Sequence, residues 1–351
     1  MSINSVAVIK VIGVGGAGGN AVNRMVDEGL LGVEFFIANT DLQVLNVSPV
    51  INKIELGKNN ASGNGAGANP EVGEKAAIES EDLIREAVKG ADMVFVTAGM
   101  GGGTGTGAAP VISRIAQEEG ALVVGVITKP FSFEGPRRQN NTKDGLEKLR
   151  ANVDSLIIVS NDKLLEVIGN ISMLDAFKEA DNILRQGVQT ITDLIAVPSL
   201  INLDFADVRT VMQGQGSALI GIGMAEGEDK ALEAAKRAIT SPLLEAQIDG
   251  ARNAIINITG GTSTSMYDAS QAVEFVRQAS GFDIDIIFGV AVNDNLGDAI
   301  IVTVVATGFD LPQSKVETQE SSPQVGFKAN NEPTTSVKND GPEIPSYFKT
   351  R

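Results

Sequence analysis

The sequence predicts an α/β protein: a doubly wound parallel sheet, a long central helix, then a smaller α/β unit. Three observations lead there. Apolar runs of strand length alternate with helical patterns from residue 6 to residue 160. Two of the strand-to-helix junctions, Gly13 to Gly19 and Gly101 to Gly107, are dense in glycine. A proline-free stretch from Met173 to Ile195 then separates this half from a second set of strands and helices.

In chain order, VAVIKVIG (6–13) reads as a strand, and Asn20 to Glu28 as the helix after it. EFFIAN (34–39) and residues 52–56 are the next strands. Asn69-Pro70-Glu71 starts a helix with a cap, a proline at the first position and an acid in the first turn; the helix runs to about Val88 with a break near Ser80. MVFVTA (93–98), LVVGVIT (122–128) and SLIIVS (155–160) are three more strands, with helices to about Glu119 and from Gln139 to Asn152. Leu174, Phe177, Leu184, Val188, Ile191 and Ile195 recur at helical spacing, so Met173 to Ile195 is a helix about 35 Å long. In the second half, strands are expected at 218–225, 253–259, 285–293 and 299–307, and helices at 229–240 and 267–280. Residues 311–341 have a linker composition, and 342–351 regain apolar residues.

Composition excludes several chemistries. The chain of 351 residues has no Cys and no His, which rules out disulfides, thiolate catalysis, Ser-His-Asp catalysis and His-ligated zinc. The net charge of −16 argues against nucleic-acid binding. It all falls on residues 1–310, because 311–351 hold five acids and five bases. Without an 18-residue apolar run or a signal peptide, the expectation is a soluble cytoplasmic protein with no direct membrane insertion.

The glycine junctions carry the chemistry. A glycine loop between a buried strand and a helix offers bare N–H groups and a helix N-terminus to phosphate. Gly13-Val14-Gly15-Gly16-Ala17-Gly18 fits G-x-G-x-x-G, a weak signal alone. Gly101-Gly102-Gly103-Thr104-Gly105-Thr106-Gly107 is far denser. Both loops fall on one edge of a parallel sheet, where together they suit a diphosphate or triphosphate. No G-x-x-x-x-G-K-[ST] is present, so charge is to be met by N–H groups, the hydroxyls of Thr104 and Thr106, and a cation such as Mg²⁺. Asp204 and Asp207 are either an N-cap with an acid complementing the helix dipole or a pair that polarises water. Asp181 is either a solvated surface acid or an acceptor for the paired donors of guanine, and Phe177 either core or a stacking ring. Glu134 and Arg138 are either an exposed charged loop or contacts to ribose and phosphate. An NAD-dependent enzyme and a non-hydrolysing scaffold are the rival readings. The first leaves Gly101 to Gly107 unexplained, the second the two aspartates.

Gly101 to Gly107 matches the G-G-G-T-G-[TS]-G signature of the tubulin/FtsZ superfamily, and the chain from about Val8 to Asp310 resembles its bacterial cell-division GTPase family, FtsZ. Asn39-Thr40-Asp41, Gly65 to Pro70, Pro130 to Gly135, Asn161-Asp162 and Asn202-Leu203-Asp204-Phe205-Ala206-Asp207 stand in the family's order. Asn64 and Ser160 depart from its usual residues. The resemblance implies a tubulin-like fold: a GTP-binding domain (1–172), a connecting helix (173–196), a C-terminal activation domain (197–310), a disordered linker (311–341) and a partner-binding peptide (342–351). It implies GTP/GDP on Gly16, Ala17, Gly18, Gly19, Asn20, Gly103, Thr104 and Gly105. Glu134 and Arg138 fall at ribose and phosphate, and Asn161, Phe177 and Asp181 at the base and the rim. Mg²⁺ is held mainly through the phosphates. Asn202, Asp204 and Asp207 match the loop that acts on the neighbouring subunit of a head-to-tail filament. The tail Glu343-Ile344-Pro345-Ser346-Tyr347-Phe348-Lys349, with Arg351 at its end, looks like the peptide that binds membrane tethers and division regulators at midcell, on the inner face of the membrane.

Overall fold

A computed structural model describes residues 7–59, 61–169, 171–196, 201, 204–240, 248–281 and 284–309. The alternation seen in the sequence folds into β1 (Ile9–Val14), α1 (Gly15–Asp27), β2 (Val33–Asn39), α2 (Leu42–Val47) and β3 (Asn52–Glu55). Then come α3 (Pro70–Glu79), α4 (Glu81–Val88), β4 (Met93–Gly99), α5 (Thr104–Glu118), β5 (Leu122–Lys129), α6 (Pro136–Arg150) and β6 (Ser155–Ser160). Short α7 (Asn161–Ile168) leads to α8 (Met173–Ala196) and α9 (Phe205–Met212). The second half is β7 (Gly216–Ala225), α10 (Lys230–Ile239), β8 (Asn253–Gly260), α11 (Met266–Ser280), β9 (Asp285–Val292) and β10 (Ile300–Thr307).

The strands form one ten-stranded sheet in the order β3-β2-β1-β4-β5-β6-β7-β10-β8-β9. Neighbours from β3 through β7 are parallel, as is β8 with β9, while β10 is antiparallel to β7 and β8. The strand order reverses between β1 and β4, the switch point where a parallel sheet opens a crevice beyond its strand ends. In the sheet, β6 and β7 link the two halves through the register Ser155–Gly216, Leu156–Ser217 and Ile157–Ala218. Helices α3, α4 and α5 cover one face of the first half. The other face packs on α1, α8 and α9.

The largest differences from the sequence reading lie at helix starts. α1 begins at Gly15 rather than Asn20, and α6 at Pro136 rather than Gln139. Glycine has poor helix propensity, so the run looked like a loop, yet its residues form the first helical turn. α2 and α7 were not expected; six and eight residues are too few to show a periodicity. The expected break near Ser80 separates α3 from α4. The helical stripe of α8 buries Leu184, Val188 and Ile191, but Leu174 is 66% exposed and Phe177 40%; in the first two turns Ala176 and Ala180 are the buried residues instead. Gly187, read as a weak point, lets α8 approach β5: a Cβ there would lie 2.9 Å from Val126 Cγ1. Linker, tail, Asn202 and Leu203 lie outside the described residues.

The second glycine run is shaped by α3 packed on α5. A Cβ on Gly107 would meet the Pro70 carbonyl oxygen at 2.0 Å and the Glu74 nitrogen at 2.6 Å. Gly107→Ala is therefore expected to push these helices apart and destabilise the protein by about 1–3 kcal/mol, measured as a lower midpoint in denaturant or thermal unfolding.

Candidate functional site

The crevice at the switch point is a cleft of about 310 Å³ at the C-terminal edge of the parallel strands. Its floor comes from the two glycine runs: Gly16 and Ala17 at the start of α1, and Gly102, Gly103, Thr104 and Gly105 at the start of α5. Both helices begin without a side-chain cap and without an acid in the first turn, so their first N–H groups face no competing protein anion. Glycine is a geometric requirement here. Gly15 has φ +72°, and a Cβ on it would lie 2.8 Å from Gly105 N. Gly16 and Gly102 would meet nothing within 4 Å, so their open sides are available to a ligand.

The sequence candidates divide on this geometry. Gly16, Ala17, Gly103, Thr104, Gly105, Glu134, Arg138, Asn161, Phe177 and Asp181 all line the cleft. Gly18, Gly19 and Asn20 do not: Gly18 and Gly19 are buried and Asn20 is exposed. Gly18 is there for packing, since a Cβ would strike the Thr97 carbonyl oxygen at 2.2 Å. Thr106 corrects the reading of its hydroxyl. It is 1% exposed and accepts the Gly101 N–H at 2.9 Å, so it shapes the turn rather than facing the cleft. Thr104 Oγ1 is 2.7 Å from Thr40 Oγ1.

The side walls are polar and partly buried. Glu134 Oε1 accepts the Phe131 N–H at 2.9 Å, and its Oε2 accepts from Arg138. Asn161 is 5% exposed, and its Oδ1 has no partner, an acceptor left open at the cleft. Phe177 meets Phe131 edge-on at 5.3 Å, and Phe131 stacks on Phe133 at 5.0 Å. The Asp181 side chain is 13% exposed, with Arg24 Nε 3.7 Å from its Oδ2. A solvated surface acid is excluded. Burial pushes the Asp181 carboxyl up to about 6, against the pull of Arg24. Sequence reasoning missed Gly99, Met100, Thr128, Pro130 and Ala180, which also line the cleft. They fall at strand ends or one residue before Asp181, so the edge rule alone pointed to most of them.

Asp204 and Asp207 lie elsewhere. Asp204 Oδ1 accepts the Asp207 N–H at 2.9 Å and Asp207 Oδ2 accepts the Asp204 N–H at 3.1 Å, a reciprocal box that starts α9. Each bond uses one oxygen of its carboxylate. α9 is held at the opposite edge of the sheet, where Arg209 donates to the carbonyls of Asp92 and Gly120 at 3.4 and 3.5 Å. Those residues precede β4 and β5, whose far ends form the cleft. The seven residues of β4 alone span about 23 Å. Within one chain the aspartates and the cleft face opposite ways.

Residues 8–169 match the model of the Tubulin/FtsZ family, GTPase domain, and residues 216–310 that of the FtsZ family, C-terminal domain. Among solved structures, an empty FtsZ dimer from M. jannaschii is similar at 42% identity and a TM-score of 0.82, over 87% of this chain and 89% of that one. A point mutant of FtsZ from the same organism gives 43% identity and 0.82, over 86% and 91%. A GTPγS-bound protofilament of CetZ2 from Haloferax volcanii, at 21% identity and 0.73 over 85% and 92%, shares the fold.

Asp181 sets a pH dependence. It holds its proton more strongly in the fold than in the unfolded chain, so its contribution to stability is present below about pH 4 and is lost as pH rises through about 6. Asp181→Asn is expected to gain stability over the wild type between pH 5 and pH 7.5 in the ligand-free protein, by on the order of 2 kcal/mol. Thermal midpoints of both proteins at the two pH values check this.

Proposed function

This chain belongs to the FtsZ family of tubulin-like GTPases, and from that premise we propose that it binds and hydrolyses GTP, polymerises head to tail, and builds the ring at a bacterial division site. The observation that carries the reading is the separation of the cleft from the Asp204–Asp207 pair across the full height of the sheet. One chain cannot close its own site. A second copy stacked in the same orientation brings the aspartates of one edge to the cleft of the other. Such a contact joins unlike surfaces and repeats without closing, which makes filaments.

In this reading, the bare helix starts at Gly16–Ala17 and Gly103–Thr104–Gly105 hold the phosphates, with Gly18, Gly19 and Asn20 supporting the first loop. Arg138 and Glu134 serve phosphate and ribose, Phe177 the base, and the open Asn161 Oδ1 the nucleotide's rim. Asp181, once ionised, accepts the ring N–H and amino group of guanine, a paired-donor edge that adenine lacks. Asp204 and Asp207 of the neighbouring chain orient the attacking water, with Asn202, outside the described residues, beside them. A Mg²⁺ ion in this reading is held mainly by the nucleotide, since such an ion commonly takes only one or two carboxylates beside phosphate oxygens. When bound, the ion supplies neutralisation of phosphate charge. Among the described residues no helix is long and apolar enough to cross a membrane. Attachment at midcell is assigned to tethers and regulators that bind the tail from Glu343 to Arg351, also outside the described residues.

Sedimentation with GTP, GDP or ATP, with phosphate release followed against protein concentration, tests the reading. GTP alone is expected to pellet the protein and to give a threshold-like rise in turnover; turnover linear in protein, or equal use of ATP, counts against it. Asp207→Ala is expected to bind GTP yet lose at least about tenfold in turnover. Mixing it with a Gly105→Val chain that cannot bind nucleotide restores part of that activity, because each chain supplies a different half. Normal turnover by Asp207→Ala alone would remove the shared site.

A further inference from the structure

Asp162 has no role in the reading above, yet it ties together two walls of the cleft. It is the second residue of α7, directly after Asn161. Its Oδ1 accepts the backbone N–H of Ser132 at 2.9 Å, and its Oδ2 accepts the Ser132 hydroxyl. Ser132 opens a three-residue 3₁₀ turn that ends at Glu134. The loop after β5 and the start of α7, thirty residues apart in sequence, are therefore joined by two hydrogen bonds to one carboxylate.

We infer that Asp162 is a positioning residue: by holding both donors of Ser132, it fixes the spacing between Glu134 and Asn161 across the cleft. A 3₁₀ turn of this length has few bonds of its own. Its other contacts are the Glu134 bonds to Phe131 and Arg138, the stacked pair of Phe131 and Phe133, long bonds from Gln139 to the Pro130 and Phe131 carbonyls, and the edge-on packing of Phe131 on Phe177. Two bonds to one side chain, from a backbone N–H and a hydroxyl, fix position and orientation together, so Asp162 is the firmest hydrogen-bonded tie on that turn from another element. Released from it, the turn carries Glu134 away from Asn161, and Phe131 loses its seat against Phe177 on α8. The role rests on the cleft being a nucleotide site.

An acid in the first turn of α7 also complements the helix dipole, and substitution separates the two roles. Asn at this position keeps an acceptor for the Ser132 N–H and offers a donor to its hydroxyl, but has no charge. Ala removes both bonds and the charge. Ser132→Ala removes one bond from the other side and leaves α7 untouched.

The test measures GDP affinity, which avoids polymerisation, together with backbone hydrogen exchange at residues 131–135. Asp162→Ala is expected to bind GDP roughly ten- to thirtyfold more weakly, as for loss of bonds to a charged group, with faster exchange at 131–135. Asp162→Asn is expected to stay within about threefold of the wild type, and Ser132→Ala to fall between them. Wild-type affinity in Asp162→Ala overturns the clamp. So does an Asp162→Asn protein as weak as Asp162→Ala, which would assign the effect to the dipole. A wild-type chain that fails to bind GDP at all overturns the nucleotide reading and the role that rests on it, a result distinct from either of these.

Discussion

Where α1 and α5 begin, their backbones lie so close that a Cβ on Gly15 would sit 2.8 Å from Gly105 N, and one on Gly105 would sit 2.7 Å from the Gly99 carbonyl oxygen. The cleft depends on that approach. It brings two helix N-termini to one place and leaves both bare. Four other helices are capped by side chains, Asp41 on α2, Asn69 on α3, Asp204 on α9 and Ser265 on α11, and α4, α7 and α10 carry an acid in the first turn. Uncapped N–H groups cost stability unless something accepts from them. Two adjacent starts with neither cap nor acid are a site whose missing acceptor is an anion.

That arrangement also explains how a chain of net charge −16 can hold a phosphate. The attraction comes from fixed N–H dipoles at short range, where they outweigh the screened field of distant surface acids. The two acids that line the cleft are each met by a cation, Glu134 by Arg138 and Asp181 by Arg24. Burial raises the Asp181 carboxyl to about 6 while Arg24 pulls the other way.

A parallel sheet has two unlike edges. Here the C-terminal edge carries the cleft and the N-terminal edge carries α9 with its two aspartates. Because β1, β4 and β5 run the same way, the two ends cannot be exchanged by turning the molecule over. The reciprocal bonds that start α9 and a role toward another chain are compatible, since capping occupies one oxygen of each carboxylate.

Strands, the long helix and the glycine junctions that floor the cleft were legible in the sequence, because apolar periodicity and glycine density are local properties of the chain. The helix starts inside the glycine runs were not, since propensity argues against a turn that only packing and a bare N-terminus stabilise. The alternatives for Asp181 and Phe177, and the direction of the Thr106 hydroxyl, depended on burial, which follows from how α8 crosses the sheet and from the turn at Gly101. The same holds for the Asp162–Ser132 bonds, formed between segments that only the fold brings together. For Asp204 and Asp207 the sequence determined an N-cap spacing. Their position a strand's length from the cleft was decided by the tertiary structure, through the common direction of the parallel strands.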